Sequence, residues 1–340
     1  MMIRNAMIVL LLASAAYGQA PGDSRFEDRV LEITPETRRA IDAGLAYLAS
    51  KQMPDGSFEG PRGKNTGVAS FAVLGFMSTG VVPGRGPQGK VVARGIDYVL
   101  SNAQLNGLIS NPQDTANGPM YEHAMSTLLL AEAWGMYHRP GILDALQRAV
   151  DLILSSQNDQ GGWRYEPRPA DADISVTVMQ LVALRAAKDA GIRVPQRSFE
   201  AAMSYVKSCA MPSGGFLYQP GVGSVGYART AAGVCSLLAC GDFQSAEVLA
   251  GLAYLQEHKL QPLRGNDPHL HYGMYYAAQA MYQAADPRHW QNWYPAVRDQ
   301  LIAMRESDGH WDGEAGPVFG TAFSILGLSV PYRYLPIYQH

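Results

Sequence analysis

The chain has 340 residues, a formal net charge of −3, and 47% hydrophobic against 17% charged residues. That charge gives no electrostatic case for binding nucleic acid or an anionic lipid surface. The three cysteines, Cys209, Cys235 and Cys240, are too few for a disulfide framework, and we expect buried free thiols.

Residues 1–18 have the pattern of a signal peptide. The N-terminal region contains the positively charged Arg4 and is followed by a short apolar run. Ala16 and Gly18 form a small-x-small cleavage site. The pattern predicts cleavage after Gly18 and export to the periplasm or the medium. The apolar run is too short to span a bilayer comfortably, and no later segment is long enough to try, so we expect peripheral membrane contact at most.

Residues 19–35 are polar and predict a loose lead-in, and residues 36–340 predict a single domain of six helix pairs. The third pair is the clearest. Its first helix has apolar residues on one face only, whereas its second is apolar almost all round and must be surrounded by other helices. We therefore predict an outer and an inner helix in each pair: 40–52 and 68–77, 92–103 and 122–136, 146–156 and 174–187, 199–208 and 228–240, 246–257 and 272–283, and 294–305 and 320–328.

A glycine turn joins the two helices of most pairs at a regular period. The glycines are Gly56, Gly107, Gly161, Gly214 and Gly309, with gaps of 51, 54, 53 and 95, the last equal to two repeats of about 47. Glycine allows the positive φ that ends a helix abruptly. Each pair alone leaves an apolar helix uncovered, so the sequence predicts an all-α (α/α)6 toroid with an inner and an outer ring.

The turns carry a glutamine and an aromatic residue at fixed spacing. The full Q-x-x-x-G-x-[WF] pattern spans Gln52 to Phe58 and Gln157 to Trp163, and G-x-[WF] alone ends at Phe216 and Trp311. This resembles the QW repeats of the squalene cyclase and protein prenyltransferase superfamily over nearly the whole chain after residue 18. The resemblance implies an α6/α6 barrel whose apolar central cavity has its chemistry near the N-termini of the inner helices.

The resemblance also implies candidate chemistry. In squalene-hopene and related class II cyclases a D-x-D-D motif opens an inner helix and one aspartic acid protonates the polyene. The match is Asp171-Ala-Asp173-Ile174, which puts Asp173 at the proton donor, with Ile174 in place of the last acid. Prenyltransferases hold zinc through a D-x-C pair, which is missing from this sequence, so we expect no metal and no cofactor.

If the toroid is correct, the inner-helix N-termini share one rim. The polar candidates there are Asp173 and His123 as catalytic groups, and Tyr121, Glu122, Asp171, Arg229, His271, Tyr272 and Tyr276 as groups that contact a ligand.

Structural roles compete with each of these assignments. An aspartate such as Asp173 at a helix start caps free N–H groups, and the helix N-terminus favours its charged form, which opposes its use as an acid unless it is buried. His123 could be an acid/base group or a hydrogen-bonded structural histidine. His269 and His271 fit a solvated loop better than a zinc site, since two histidines leave zinc short of ligands.

Three functions remain open at this point. The first is binding, and possibly acid-initiated conversion, of an apolar isoprenoid or lipid-like ligand in the central cavity. The second is a non-catalytic scaffold that binds a protein. The third is an exported carbohydrate-active enzyme, which predicts that Glu122, Asp173, His123 and Arg229 converge in an open cleft. Fold analogy cannot choose among them.

Overall fold

The computed structural model describes residues 33–112, 118–264 and 269–339, apart from the side chains of residues 262 and 264. The predicted signal peptide and most of the predicted lead-in lie outside these residues. The described elements are, in chain order, α1 (Pro35–Lys51), β1 (Glu59–Gly60), β2 (Gly63–Lys64), α2 (Thr66–Met77), α3 (Gly86–Ser101), α4 (Met120–Trp134), α5 (Ile142–Ser155), α6 (Ile174–Asp189), α7 (Gln196–Ser208), α8 (Tyr227–Ala239), α9 (Ala246–Glu257), α10 (Gln261–Arg264), α11 (Leu270–Gln283), α12 (Arg288–Ala303) and α13 (Pro317–Ser329), followed by 3-10 turns at Val330–Tyr332 and Pro336–Tyr338.

The inner helices form a closed ring. In the order α2, α4, α6, α8, α11 and α13, each packs against the next, and α13 packs back against α2. Every residue of α2 is buried, whereas α5 in the outer layer buries a single stripe that includes Ile142, Leu146 and Ile153. The predicted (α/α)6 toroid is therefore confirmed, and so is the assignment of the uniformly apolar helices to its interior.

The turn glycines are required by close packing as well as by backbone angle. Gly161 has φ +88°, and a Cβ on it would lie 2.4 Å from the carbonyl oxygen of Ala201 in the next outer helix. Gly309, with φ +101°, makes the same approach to Ala43 of α1, at 2.8 Å. The sixth turn thus packs on the first outer helix, and the outer layer closes as the inner ring does.

The glutamine and the aromatic residue of the motif hold the third joint together. Gln157 Nε2 donates to the carbonyl oxygens of Gly161, at 2.8 Å, and of Ser198 in α7, at 2.9 Å. Trp163 is fully buried and its Nε1 donates to Ile153 O at 2.7 Å. The glutamine therefore ties a turn to the next repeat, and the tryptophan ties it to its own outer helix.

The start of the sixth outer helix was predicted wrongly. We expected it to begin at residue 294, but α12 begins at Arg288 and runs through Pro295. A proline in a helix interior lacks the N–H that the helix would use and normally favours a helix start. Here buried aromatic packing carries the helix past it, since Trp290 stacks on Tyr294 with ring centroids 4.1 Å apart.

The C-terminal residues cross the ring at the end where the inner helices finish. The backbone N–H of Ile337 donates to Glu132 Oε1 of α4 at 3.3 Å, and Gln283 Nε2 of α11 donates to Ile337 O at 3.0 Å. The neighbouring Tyr338 is 1% exposed. The chain end therefore covers this side of the ring. The inner helices begin on the opposite side, where the candidate site lies.

Candidate functional site

Asp173 stands at the start of α6 and caps it. Its Oδ1 accepts hydrogen bonds from the backbone N–H groups of Ser175, at 2.9 Å, and Val176, at 3.0 Å. Its Oδ2 lies 3.6 Å from Nε of Arg164, and the side chain is fully buried. One carboxyl oxygen therefore caps the helix, while the other lies on the side of Arg164.

The pKa of Asp173 is raised above its ordinary value because burial penalises the charged form. The two backbone N–H groups, the Arg164 guanidinium and the Tyr218 hydroxyl act in the opposite direction and do not outweigh burial. The helix N-terminus on its own would have kept this carboxyl ionised. Burial and the helix N-terminus therefore act on the pKa of Asp173 in opposite directions, and burial has the larger effect.

Arg164 organises the loops beside Asp173. Its guanidinium lies 5.1 Å from the ring centroid of Tyr165 and 5.8 Å from that of Tyr218, and it forms an ion pair with Asp171. The Tyr165 and Tyr218 hydroxyls share a hydrogen bond, and the N–H of Ile174 donates to Tyr218 O at 3.0 Å. Tyr218 comes from the following repeat, so the loops of two repeats are locked together around the start of α6.

Two further tyrosines from other inner helices are close enough to Asp173 for its charge to affect their pKa values. The pKa values of Tyr121 in α4 and Tyr272 in α11 are raised, first by burial and next by the negative charge of Asp173. Both side chains are half-buried. We call Asp173, Arg164, Tyr121, Tyr218 and Tyr272 the mouth of the ring.

An aromatic layer lies beneath the mouth. Tyr276 packs edge-on against Tyr272, with centroids 4.8 Å apart, and against Tyr275, at 4.9 Å. Phe71 stacks on Phe323 at 4.2 Å, and Tyr275 meets the edges of both. We call Tyr275, Tyr276, Phe71 and Phe323 the aromatic floor. A buried acid therefore lies near a cluster of aromatic rings, each at most 1% exposed.

His271 lies on α11 one turn before Tyr275 and has a carboxylate partner that the sequence did not reveal. Its Nδ1 is 3.0 Å from Oε2 of Glu314, and Oε1 of Glu314 accepts from the N–H of Tyr272 at 3.2 Å. Burial alone would raise the pKa of Glu314, but the hydrogen bond and charge of His271 hold it below its ordinary value. His271 is 4% exposed, and its Nε2 has no hydrogen-bond partner among the described residues.

His123 lies in the second joint and not in the mouth. Its Nδ1 accepts from the N–H of Ile109 at 3.1 Å, and its Nε2 is 3.2 Å from Ala149 O. Burial lowers its pKa to about 4, so the ring is neutral. These contacts agree with the structural alternative for His123, because both ring nitrogens are already engaged with the backbone.

Glu122 and Arg229 also serve the scaffold. Oε2 of Glu122 accepts from the N–H and the hydroxyl of Thr66, at 2.9 and 2.7 Å, at the start of α2. Arg229 folds back so that its Nη2 donates to Ser224 O at 2.6 Å. Among the described residues the structure brings Asp171, Asp173, Tyr121, Tyr272 and Tyr276 together at or under the mouth, and it leaves Glu122, His123 and Arg229 outside it.

The described residues lack two kinds of feature. They contain no group of three or more His, Cys, Asp or Glu side chains placed to hold a metal ion. None of the helices in 33–112, 118–264 and 269–339 combines the length and the apolar character needed to cross a membrane.

The site and the fold define an α/α toroid with an acid at the mouth of its inner ring. No protein-family model matches the chain. Two curated proteins match part of it: lanosterol synthase of Saccharomyces cerevisiae, 23% identical over 138 residues, and drimenyl diphosphate synthase of Streptomyces showdoensis, 27% identical over 140 residues. The matches cover 38% and 40% of this chain but only 18% and 25% of those proteins.

Solved structures match over almost the full length. A cellobiose 2-epimerase from Spirochaeta thermophila has TM-score 0.68 and 13% identity, covering 92% of this chain and 98% of its own. A type II terpene cyclase from Scytonema, solved with geranylgeranyl dihydroxybenzoate, has TM-score 0.64 and 12% identity, covering 90% and 99%. A GH76 α-mannanase from Bacteroides thetaiotaomicron has TM-score 0.62 and 10% identity, covering 90% and 98%. The chain therefore has an α/α toroid fold, which it shares with a terpene cyclase and with two sugar-active enzymes.

Proposed function

We propose that the protein binds an apolar, isoprenoid-type ligand at the mouth, with its chain against the aromatic floor, and that Asp173 protonates the ligand. The observation that carries the proposal is the buried carboxyl of Asp173 near a cluster of aromatic rings. The partial sequence matches to lanosterol synthase and drimenyl diphosphate synthase support the same choice of substrate class.

The residues fit an acid-initiated reaction on a carbon–carbon double bond. The O–H bond of Asp173 breaks, the π electron pair of the alkene forms the new C–H bond, and a carbocation remains on the ligand. The faces of aromatic rings attract a cation, and the rings of the aromatic floor would serve this purpose. Arg164, between Asp173 and Asp171, stabilises the carboxylate that is left.

The same contacts speak against a sugar-cleaving site of the kind expected from the sequence. That reading required Glu122, His123 and Arg229 to converge with Asp173. Instead the carboxylate of Glu122 caps α2, His123 is bonded to the backbone of a joint, and Arg229 is bonded to its own loop. A pair of carboxylates flanking a bond, the usual requirement for glycoside hydrolysis, is therefore not assembled from these residues.

The proposal is tested with the purified chain lacking residues 1–18. Lipid extraction and mass spectrometry should find a co-purifying isoprenoid, and incubation with a panel of linear isoprenoid alcohols and diphosphates should give an isomerised or cyclised product of unchanged mass. Asp173→Asn should abolish turnover, because an amide cannot supply the proton.

Asp144→Asn is the control, since Asp144 lies on the exposed face of α5 and pairs with Arg148 of the same helix. It should leave turnover unchanged. Product formed by Asp173→Asn at the wild-type rate, or no binding by any compound of the panel, would contradict the proposal.

We also propose that the protein acts after export, as the pattern of residues 1–18 predicts. Expression of the full sequence in a secreting host, followed by mass spectrometry of the purified chain, should show an N-terminus at Gln19. A chain that keeps Met1 and stays in the cytoplasm would contradict export and leave the proposed chemistry untouched.

A further inference from the structure

The sixth joint differs from the others at the residue that follows its turn glycine. In the other joints with a turn glycine that residue is small or aliphatic: Ser57, Leu108, Gly162 and Gly215. In the sixth joint it is His310. This joint packs on α1 through the approach of Gly309 to Ala43, so it connects the last repeat to the first, which are not consecutive along the chain. We call the contact between residues 306–316 and α1 the seam.

His310 is held on three sides at the seam. Its ring stacks on that of Tyr47 in α1, with centroids 4.9 Å apart and planes inclined by 27°. Its Nδ1 is in hydrogen-bond contact with Asp308 Oδ1, and its Nε2 lies 3.2 Å from Asp312 Oδ1. The His310 side chain is 18% exposed. Ionised carboxylates only accept hydrogen bonds, and both ring nitrogens donate at once only when the imidazole is protonated, so the arrangement fits an imidazolium ion.

Charged groups of both signs face His310. The two carboxylates come from its own loop, and the charge from α1 is Lys51, whose Nζ lies 5.0 Å from the centroid of the same Tyr47 ring. Burial, and then the charges of Asp308 and Asp312, raise the pKa of Tyr47, so its phenol is neutral near pH 7. Helices α12 and α13 meet the loop through a backbone carbonyl and a hydroxyl group, which do not titrate. Two carboxylates therefore act against one opposing cation.

The proton on His310 is bound more tightly in the folded chain than in the unfolded one. Burial acts to lower the pKa of His310, but the hydrogen bonds and charges of Asp308 and Asp312 outweigh it and raise the pKa above 6.5. The stability that results is complete below about pH 6.5 and is lost as the pH rises through the folded value. Once the proton has left, one ring nitrogen must turn its lone pair toward a carboxylate, and that contact becomes repulsive.

The loop that carries His310 also reaches the mouth. Glu314, four residues later, pairs with His271 Nδ1 at 3.0 Å and accepts from the N–H of Tyr272 at 3.2 Å. We propose that His310 is a pH-sensitive latch on the seam. Its protonated ring, bonded to both carboxylates and stacked on Tyr47, keeps the ring of repeats closed, and loss of the proton loosens the seam and the loop that supports Tyr272.

The test is hydrogen exchange of the purified wild-type chain at about pH 5.5 and about pH 8, on either side of the histidine range, with rates corrected for the intrinsic effect of pH on amide exchange. The measured quantity is the protection of α1 and residues 306–316 relative to that of α5, the outer helix of the third repeat. It should fall by about two- to fivefold at the higher pH, the range for an ion pair near the surface. Effects on the whole ring, such as ionisation of Glu132, cancel in this ratio.

Two variants connect the effect to the latch. His310→Gln cannot take up the proton, so the ratio should be the same at both pH values. Asp308→Asn combined with Asp312→Asn keeps the stacked ring but removes the carboxylates, and should also abolish the difference. This second variant keeps the test decisive if His310→Gln folds poorly.

His258→Gln is the matched control. His258 also stacks on a tyrosine of an outer helix, Tyr254, with centroids 4.2 Å apart, but it lies in the fifth repeat, away from the seam. The variant should keep the wild-type fall in the ratio. A ratio that is constant in wild type, or that falls equally in His310→Gln, would overturn the proposal. Asp173 takes no part in these measurements, so they do not depend on the chemistry proposed at the mouth.

Discussion

His123 of the second repeat does the work that Thr177 does in the third. His123 Nδ1 accepts from the N–H of Ile109 at 3.1 Å, and Thr177 Oγ1 accepts from the N–H of Trp163 at 3.0 Å, each across 14 residues. Thr230 repeats the contact with Phe216, also across 14 residues, and Thr321 repeats it with Trp311. The contact satisfies the buried N–H of the residue that fills each joint.

This equivalence predicts how His123 can be replaced. His123→Thr keeps an acceptor for the Ile109 N–H. Valine has nearly the same shape as threonine but no acceptor, so His123→Val leaves that buried donor unpaired. We expect the threonine variant to be more stable than the valine variant by about 1–3 kcal/mol. Urea unfolding midpoints measure the difference, and equal midpoints would show that the Ile109 contact contributes nothing.

Two glycines with the same backbone angle separate conformational strain from close packing. Gly161 and Gly191 both have φ +88°, but a Cβ at Gly161 meets Ala201 O at 2.4 Å and one at Gly191 meets nothing within 4 Å. Gly191→Ala should cost about 1–2 kcal/mol from the left-handed conformation alone. Gly161→Ala should cost a further 1–3 kcal/mol or so, because the α7 backbone must move. The free energies of unfolding of the two variants provide the comparison. Similar losses would mean that the α7 backbone can move away from residue 161 at little cost in free energy.

Stability should depend on pH through Glu132. Its pKa is about 8 in the folded chain against 4.5 ordinarily, so the folded state holds the proton more tightly than the unfolded one. The resulting stability is complete below about pH 4.5 and is lost as the pH rises toward and through about 8. Glu132→Gln cannot ionise, so its stability relative to wild type should increase with pH over that window, by at most on the order of 1 kcal/mol per unit.

Thermal unfolding of wild type and Glu132→Gln from pH 5 to pH 8.5 measures whether the stability of the variant relative to wild type increases with pH. Glu200→Gln, at an exposed position of α7, controls for the loss of a surface charge. Its stability should depend on pH in the same way as that of wild type. A constant difference between Glu132→Gln and wild type would mean that Glu132 is ionised throughout.

The two roles of Asp173 can be separated by choice of substitution. Asn is as good a helix N-cap as Asp, so Asp173→Asn should retain the bonds to Ser175 and Val176 and unfold close to wild type. Asp173→Ala loses the cap and should be less stable than Asp173→Asn by about 1 kcal/mol. Chemical denaturation measures this, and an unstable Asp173→Asn would disqualify it as a probe of catalysis.

The ring could be predicted from the sequence because its signals are local. The glycine period, the aromatic residue two positions later and the apolar character of the inner helices all lie within a single repeat. The role of His123 could also have been predicted from the sequence, since its separation of 14 residues from Ile109 matches the separation of Thr177 from Trp163. It would have been found by aligning the repeats with one another.

The contacts in the mouth and beside it could not be predicted from the sequence in this way. Glu314 lies 43 residues after His271, and nothing near either residue marks the pair. Tyr218 reaches Arg164 and Asp173 from the next repeat. The pKa of Asp173 is decided by burial, which depends on these distant loops, and the sequence revealed only the helix N-terminus that opposes it.

The approach of Gly309 to Ala43 has a consequence for biosynthesis. Because α13 and the sixth turn complete the packing of α1 and α2, the first repeat emerges from the ribosome with one flank bare and stays so until α13 has been made. An open solenoid could fold stepwise behind the ribosome. This circular arrangement must wait for its sixth helix pair, and its nascent form exposes an apolar edge that would be a substrate for chaperones.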